Sequence, residues 1–176
     1  MKDAREPETA RLDFGGLEFK AWACPSGIRR LELPSLGKKN NASVKARVEF
    51  IDSSVDEGTA RHIEALAGFL SDLLAGKRPA DAPPVDLEGV TPFTRKVLGA
   101  VERIPWGSVA SYGEVAAMAG SRGSARAAGG AVARNPVPLV IPCHRVVRAG
   151  GGIGGWSGAP GWKERLLELE GSVPRC

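Results

Sequence analysis

Apolar and polar residues alternate in the first half of the chain. Residues 12–23 (LDFGGLEFKAWA) and 27–34 (GIRRLELP) alternate on either side of the turn-like stretch 24–27 (CPSG), which predicts a β-hairpin. Residues 42–51 predict a third strand. A helix follows and ends at Gly76, because apolar residues recur at steps of three and four; they are Ile63, Leu66, Ala67, Leu70, Leu73 and Leu74.

Helix signals dominate after residue 90. Thr91 and Pro92 predict an N-cap and a first helical position, and the helix turns an apolar face inward at Val97, Leu98, Val101 and Ile104 before Pro105. Ser111 and Glu114 match a capping box, which begins a short helix that Gly120 closes. A second helix spans about residues 124–134 and stops at Asn-Pro (135–136). Two short helices joined by residues 120–123 predict a helix-turn-helix.

A proline-rich polar stretch, residues 77–89 (KRPADAPPVDLEG), separates the two patterns and predicts a domain boundary. We therefore expect an α+β protein with two domains. Residues 1–85 form a small N-terminal domain with a short sheet and a helix, in a supporting role. Residues 86–176 form a mostly helical domain that carries the helix-turn-helix.

Charge divides along the same boundary. Residues 1–90 hold 13 basic and 15 acidic residues, whereas residues 91–176 hold 11 basic and 5 acidic residues. An excess of positive charge in the second half suits a nucleic-acid partner, although a modest basic face also occurs on proteins that bind nothing acidic. Hydrophobic content of 43% with 25% charged residues is typical of a soluble globular protein.

The remaining composition narrows the compartment and the cofactors. The charged start of the chain and the lack of a long apolar stretch predict a protein that stays where it is made, in the cytoplasm or, in a eukaryote, the nucleus, with no membrane partner. Cys24, Cys143 and Cys176 are too few and too widely spaced for a disulfide framework or a thiolate zinc site. With only His62 and His144 as imidazole ligands, we expect no metal.

The predicted second helix, SARAAGGAVAR, is unusual because Gly129 and Gly130 lie in its interior. Each costs about 1 kcal/mol relative to alanine, so the backbone must need close approach to something. Either the helix packs tightly against another helix, or it approaches a nucleic-acid minor groove, with Arg126 and Arg134 as its long side chains.

Cys143 and His144, within LVIPCHRVV, are the candidate reactive pair. A cysteine attacks as a thiolate and needs a base, so a reactive Cys143 is expected to be held ionised. Neighbouring side chains diverge, so a bridging water would have to link the two, with a carboxylate behind the histidine ring. Glu170 is the candidate carboxylate, unless it is merely solvated. A buried structural cysteine is the alternative.

Residues 141–146 (IPCHRV) resemble the active-site signature of the O6-alkylguanine-DNA alkyltransferases, also called methylated-DNA-protein-cysteine methyltransferases. Further segments match in family order and spacing: residues 111–113, 125–127, 129–131, 135–136, 157–158 and 163–171. The resemblance covers about residues 91–171. The first half is similar to the family's variable domain only in size and α+β character.

The resemblance implies a single-turnover methyltransferase for DNA repair that needs no cofactor. Cys143 would accept the alkyl group from the O6 oxygen of guanine irreversibly, O4-alkylthymine being a possible second substrate. His144 would take the thiol proton through a water, Glu170 would orient His144, and Asn135 would brace the turn. The partner would be double-stranded DNA bound through its minor groove by a monomer, with cooperativity on DNA left open.

The resemblance also implies residues that hold a base flipped out of the duplex. Arg126 would fill the gap, Tyr112 would rotate the nucleotide, and the Val146 carbonyl would accept from the guanine amine. Ser157 would donate to the O6 atom, beside Gly158 in a loop that folds over the base, with Lys163 in the same pocket.

Trp156 departs from the family pattern, because many members carry tyrosine there, and it predicts an altered pocket wall. The family's zinc-binding residues of the N-terminal domain are not matched by Cys24 and His62 alone. Two rival classes remain. A helix-turn-helix protein that binds DNA without chemistry would leave the predicted histidine–carboxylate pair idle, whereas a cysteine hydrolase would recover its thiol after each turnover.

Overall fold

The computed structural model describes residues 9–36, 46–51, 54–150, 152–154, 156 and 158–172. The chain divides into two compact units, residues 1–86 and 87–176. Within the described part of the chain, no helix is both long and apolar enough to span a membrane.

The first unit is built on a four-stranded antiparallel sheet. Its strands are β1 (Ala10–Asp13), β2 (Glu18–Cys24), β3 (Gly27–Glu32) and β4 (Arg47–Phe50), in the order β3-β2-β1-β4. The predicted hairpin around residues 24–27 is confirmed. Residues 12–23 differ from a single strand, because a turn at Gly15 and Gly16, both at positive φ, separates β1 from β2. The Asp13 carboxylate accepts from the Gly16 N–H at 2.7 Å and fixes that turn.

Helix α1 (Glu57–Leu74) packs its apolar face on β2 and β3, as its periodicity predicts. Asp56 caps it by accepting from the Thr59 N–H at 2.9 Å. The proline-rich stretch is partly ordered rather than a free linker. The Ile28 N–H donates to the Pro84 carbonyl at 2.8 Å, and the Asp86 N–H donates to the Ile28 carbonyl at 2.9 Å.

The second unit is mainly helical. Its helices are α2 (Pro92–Glu102), α3 (Tyr112–Met118), α4 (Ala125–Val132) and α5 (Trp162–Leu169). A short parallel sheet that the sequence did not predict joins β5 (Ala110–Ser111) to β6 (Val146–Val147). Thr91 caps α2, and the predicted capping box of Ser111 and Glu114 begins α3. Together the two units confirm the α+β class.

Helices α3 and α4 pack against each other and against α2. Gly120 and Gly123, both at positive φ, form the connection between them. The aromatic ring of Tyr112 lies against Gly129, where an added Cβ would come within 3.5 Å of the ring. A Cβ at Gly129 would make ordinary van der Waals contact with this ring, so the packing of the two helices leaves room for alanine at this position.

Candidate active site

Cys143 lies in a single turn of 3-10 helix, residues Cys143–Arg145, directly before β6. Asn135 fixes the chain that leads into this turn. Its amide donates to the Ile141 carbonyl at 2.9 Å and its oxygen accepts from the Val137 N–H at 3.0 Å. The backbone at Leu139 is in the left-handed region, with φ of 75°, a strained conformation for a leucine. Cys143 is thus held in place by its surroundings and is only 3% exposed.

His144 is fully buried and binds Glu170, at the C-terminal end of α5. Its Nε2 lies 2.7 Å from the Glu170 Oε1. Burial raises the pKa of Glu170, but hydrogen bonds from His144 and Arg145 outweigh that effect and bring the pKa down to about 2. The prediction that Glu170 lies behind the histidine ring agrees with this contact, and the alternative of a solvated glutamate is wrong.

The hydrogen bond to Glu170 assigns the proton of the His144 ring to Nε2. Burial lowers the pKa of His144 more than Glu170 raises it, so the ring is neutral at neutral pH. Because the ionised Glu170 can only accept, Nε2 must donate, and Nδ1 is left as an acceptor. Nδ1 is buried and has no hydrogen-bond partner among the described residues. The site therefore presents an unsatisfied base.

Arg145 completes this network, and sequence reasoning missed it. Its guanidinium donates to both oxygens of Glu170, at 2.8 and 3.0 Å, and to the Ile104 carbonyl at 2.7 Å. It also stacks on the ring of Trp106 at 5.7 Å. The available signal was a basic residue beside the histidine, because a buried carboxylate needs a countercharge as well as an imidazole.

The Cys143 sulfur does not lie in a site that ionises it at rest. Burial raises the pKa of the thiol, although hydrogen bonds from Trp156 and Asn135 and the charge of Lys163 act in the opposite direction. The expectation that Cys143 is held ionised is therefore wrong, because removing the sulfur from water penalises its charged form most. A base must take the proton when the reaction begins.

Lys163 is buried and donates to the Val146 carbonyl at 2.7 Å. Burial lowers the pKa of this lysine, and its charge acts on the Cys143 sulfur. The structure thus brings Lys163, Val146 and Cys143 close together. One lone pair of the Val146 carbonyl is already engaged by the ammonium group.

The other predicted residues occupy different places. Tyr112 begins α3, and burial followed by the charge of Cys143 raises its pKa, so its hydroxyl lies within electrostatic reach of the sulfur. Arg126 is exposed on α4. Trp156 lies beside Cys143, and Gly158 lies against the ring of Trp156. Ser157 lies outside the described residues. Within the described part, no three His, Cys, Asp or Glu side chains form a group able to hold a metal ion.

Comparison with known proteins assigns the second unit to a family. Residues 92–172 match the family model described as 6-O-methylguanine DNA methyltransferase, DNA binding domain. The chain is 54% identical over 91 residues to a methylated-DNA–protein-cysteine methyltransferase of Methanothermobacter thermautotrophicus, covering 52% of this chain and 51% of that protein. It is 43% identical over 119 residues to the Salmonella typhimurium protein of the same name, covering 65% of this chain and 70% of that one.

Solved structures extend the likeness to both units. The crystal structure of Mycobacterium tuberculosis OGT in complex with DNA matches with a TM-score of 0.68 and 30% identity, over 90% of this chain and 89% of that one. The O6-methylguanine-DNA methyltransferase of Pyrococcus kodakaraensis matches with a TM-score of 0.58 and 26% identity, over 92% and 96%. With this cover and identity, the chain belongs to the methylated-DNA–protein-cysteine methyltransferase family.

Proposed function

We propose that this protein repairs DNA by moving an alkyl group from the O6 oxygen of guanine to Cys143, once per molecule. One observation carries the proposal: His144, next to the buried Cys143, is hydrogen-bonded to Glu170 through Nε2, and its buried Nδ1 has no partner among the described residues. This is the arrangement that a thiol needs in order to lose its proton within a dry site.

The chemistry follows from these protonation states. His144 Nδ1 takes the thiol proton through a water, and the thiolate attacks the alkyl carbon opposite the O6 oxygen. The S–C bond forms as the C–O6 bond breaks, and the departing guanine takes up the proton, so charge and atoms balance. Because the product is a thioether, which has no leaving group of comparable quality, the protein is consumed.

The guanine must leave the duplex to reach the sulfur, since its reacting carbon lies inside the base stack. We assign Tyr112 to rotating the nucleotide and Arg126 to filling the gap; the exposure of Arg126 on α4 supports its role. The Val146 carbonyl would also accept from the guanine amine. Ser157 and Gly158 would close over the base, and Ser157 would donate to O6. Lys163 would hold the Val146 carbonyl in place.

Helices α3 and α4 are proposed to act as a helix-turn-helix that binds double-stranded DNA through the minor groove. The small side chains of α4 support a close approach, and the basic excess of residues 91–176 supports a polyanionic partner. We assign the N-terminal domain, residues 1–85, a supporting role. We expect a monomer that works in the cytoplasm or, in a eukaryote, in the nucleus. O4-alkylthymine is a candidate second substrate.

Stoichiometry tests this proposal. Protein is mixed with an excess of duplex DNA that carries O6-methylguanine, and the lesions removed are counted. We expect one lesion removed per protein molecule, and none with Cys143→Ser. Many lesions per molecule would point to turnover as in a hydrolase. If the wild-type protein bound this DNA but removed no lesion, it would be a DNA-binding protein without chemistry.

A further inference from the structure

Trp156 contacts the reactive sulfur directly. Its indole N–H donates to the Cys143 Sγ at 3.2 Å. The indole is half-buried, and the sulfur below it belongs to a residue that is only 3% exposed. An N–H at this distance from a buried sulfur adjusts the balance between thiol and thiolate, which decides how fast the sulfur can attack.

Gly158 creates the space that this indole occupies. A Cβ added at Gly158 would lie 2.5 Å from the Trp156 ring, closer than side-chain atoms pack. The ring therefore packs against Gly158, where any larger residue would collide with it. Gly158 thus leaves space for the ring of Trp156, and the ring of Trp156 contacts the sulfur.

We propose that Trp156 is a catalytic residue of this chain, whose indole N–H stabilises the Cys143 thiolate as it forms. The proposal rests on the proposed function, because it concerns the same sulfur. It assigns a role to a tryptophan at a position where tyrosine is common among the proteins that this sequence resembles.

The chemistry of indole supports this role. An indole N–H donates and cannot accept, so it binds weakly to a thiol sulfur, which is a poor acceptor, and most strongly to a negatively charged sulfur. A phenol hydroxyl both donates and accepts, and could stabilise the thiol as well as the thiolate. Trp156 therefore discriminates between the two protonation states of Cys143. This favours ionisation where burial opposes it.

A lower pKa of Cys143 increases the fraction of thiolate more than it reduces the reactivity of each thiolate. A hydrogen bond to a charged group is strong enough to move a pKa by about one unit, which is a tenfold change in the thiolate fraction. Stabilising a thiolate also weakens it as a nucleophile, with a Brønsted coefficient of about 0.4–0.5. Lowering the pKa by about one unit should therefore speed methyl transfer at neutral pH by only about threefold.

Two variants remove the N–H in different ways. Trp156→Phe deletes it together with part of the ring, and incorporation of 3-benzothienylalanine at position 156 replaces the N–H by sulfur while preserving the ring. Trp22→Phe is the matched control, because Trp22 stacks on Arg30 in the first unit. Thiolate absorbance of Cys143 is titrated against pH, with Cys143→Ser as the baseline. Methyl transfer from methylated duplex DNA is timed at neutral pH.

We expect both variants at position 156 to raise the pKa of Cys143 by about one unit and to slow transfer about threefold, with Trp22→Phe unchanged. An unaltered pKa of Cys143 in the benzothienylalanine protein would overturn the proposal. Slower transfer without a change in this pKa would also overturn it, since altered packing alone would then explain the slower rate. Absence of transfer in the wild-type protein would instead reject the proposed function, and the titration would still decide whether the indole stabilises the thiolate.

Discussion

The Arg145–Glu170 pair offers the sharpest test of the network behind His144. The Glu170 side chain is fully buried and that of Arg145 is 12% exposed, and two hydrogen bonds join them. We consider Arg145→Met, Glu170→Gln and the double variant. Each single change leaves a charge without its partner in a site from which water is largely excluded, whereas the double change removes both charges.

The magnitude follows from the ionisation of Glu170. Its pKa falls from an ordinary 4.5 to about 2, which corresponds to about 3 kcal/mol of folding free energy at neutral pH. Breaking a buried pair on one side costs about 3–5 kcal/mol. We therefore expect each single variant to lose about 3 kcal/mol, and the double variant to lose less than the sum by at least about 1 kcal/mol.

Urea unfolding at neutral pH measures these values. The exposed pair Glu57 and Arg61 on α1 provides a matched control, because its side chains are 82% and 68% exposed. The same substitutions there, Glu57→Gln and Arg61→Met, should change stability by less than about 0.5 kcal/mol. If the losses at Arg145 and Glu170 simply add, the two residues do not act as one network and our account of His144 is wrong.

Three further predictions address the base, the helix α4 and the DNA. Because burial lowers the pKa of His144, the unfolded chain binds this proton at a higher pH than the folded protein, so stability should decline below about pH 6.5 and fall further toward the low pKa of Glu170. Thermal unfolding measures this, and a stability that stays constant from neutral pH to about pH 4.5 would contradict it. Gly129→Ala should stabilise the protein by up to about 1 kcal/mol in urea unfolding, since a Cβ meets the neighbouring aromatic ring at an ordinary distance, and should weaken DNA binding if α4 enters a groove. A destabilised protein would show that the helices pack closer than in the structure. Arg126→Ala should slow repair of duplex DNA about tenfold more than repair of single strands, because only in a duplex must the base be unpaired, at a cost of a few kcal/mol. The control Arg122→Ala, at another exposed arginine, should affect both substrates alike, and equal losses for Arg126→Ala would reject its gap-filling role.

Local signals in the sequence were sufficient for several elements. Thr91 with Pro92 and Ser111 with Glu114 predict helix starts correctly, because a cap depends on atoms three residues apart. The turn at Gly15 and Gly16 shows the limit, since a strand pattern that continues through it hides the change of direction. The motif around Cys143 was likewise visible, but only as residue types in order.

Contacts between distant residues were harder to predict. Glu170 lies 26 positions from His144, and the residues alone left open whether it binds the histidine or is solvated. The role of Arg145 was not predicted, because its partners, Glu170 and the Ile104 carbonyl, are 25 and 41 positions away in the sequence. The raised pKa of Cys143 depends on burial, which no pattern of neighbouring residues specifies.

The central claim is that the Cys143 sulfur itself receives the alkyl group. Intact-mass measurement followed by peptide mapping, after incubation with duplex DNA that carries O6-methylguanine, tests it most directly. We predict that each molecule gains the mass of one methylene group, that the gain maps to the peptide with Cys143, and that it survives removal of the DNA. An unchanged mass while the lesion disappears, or a methyl group on any other residue, would contradict the account.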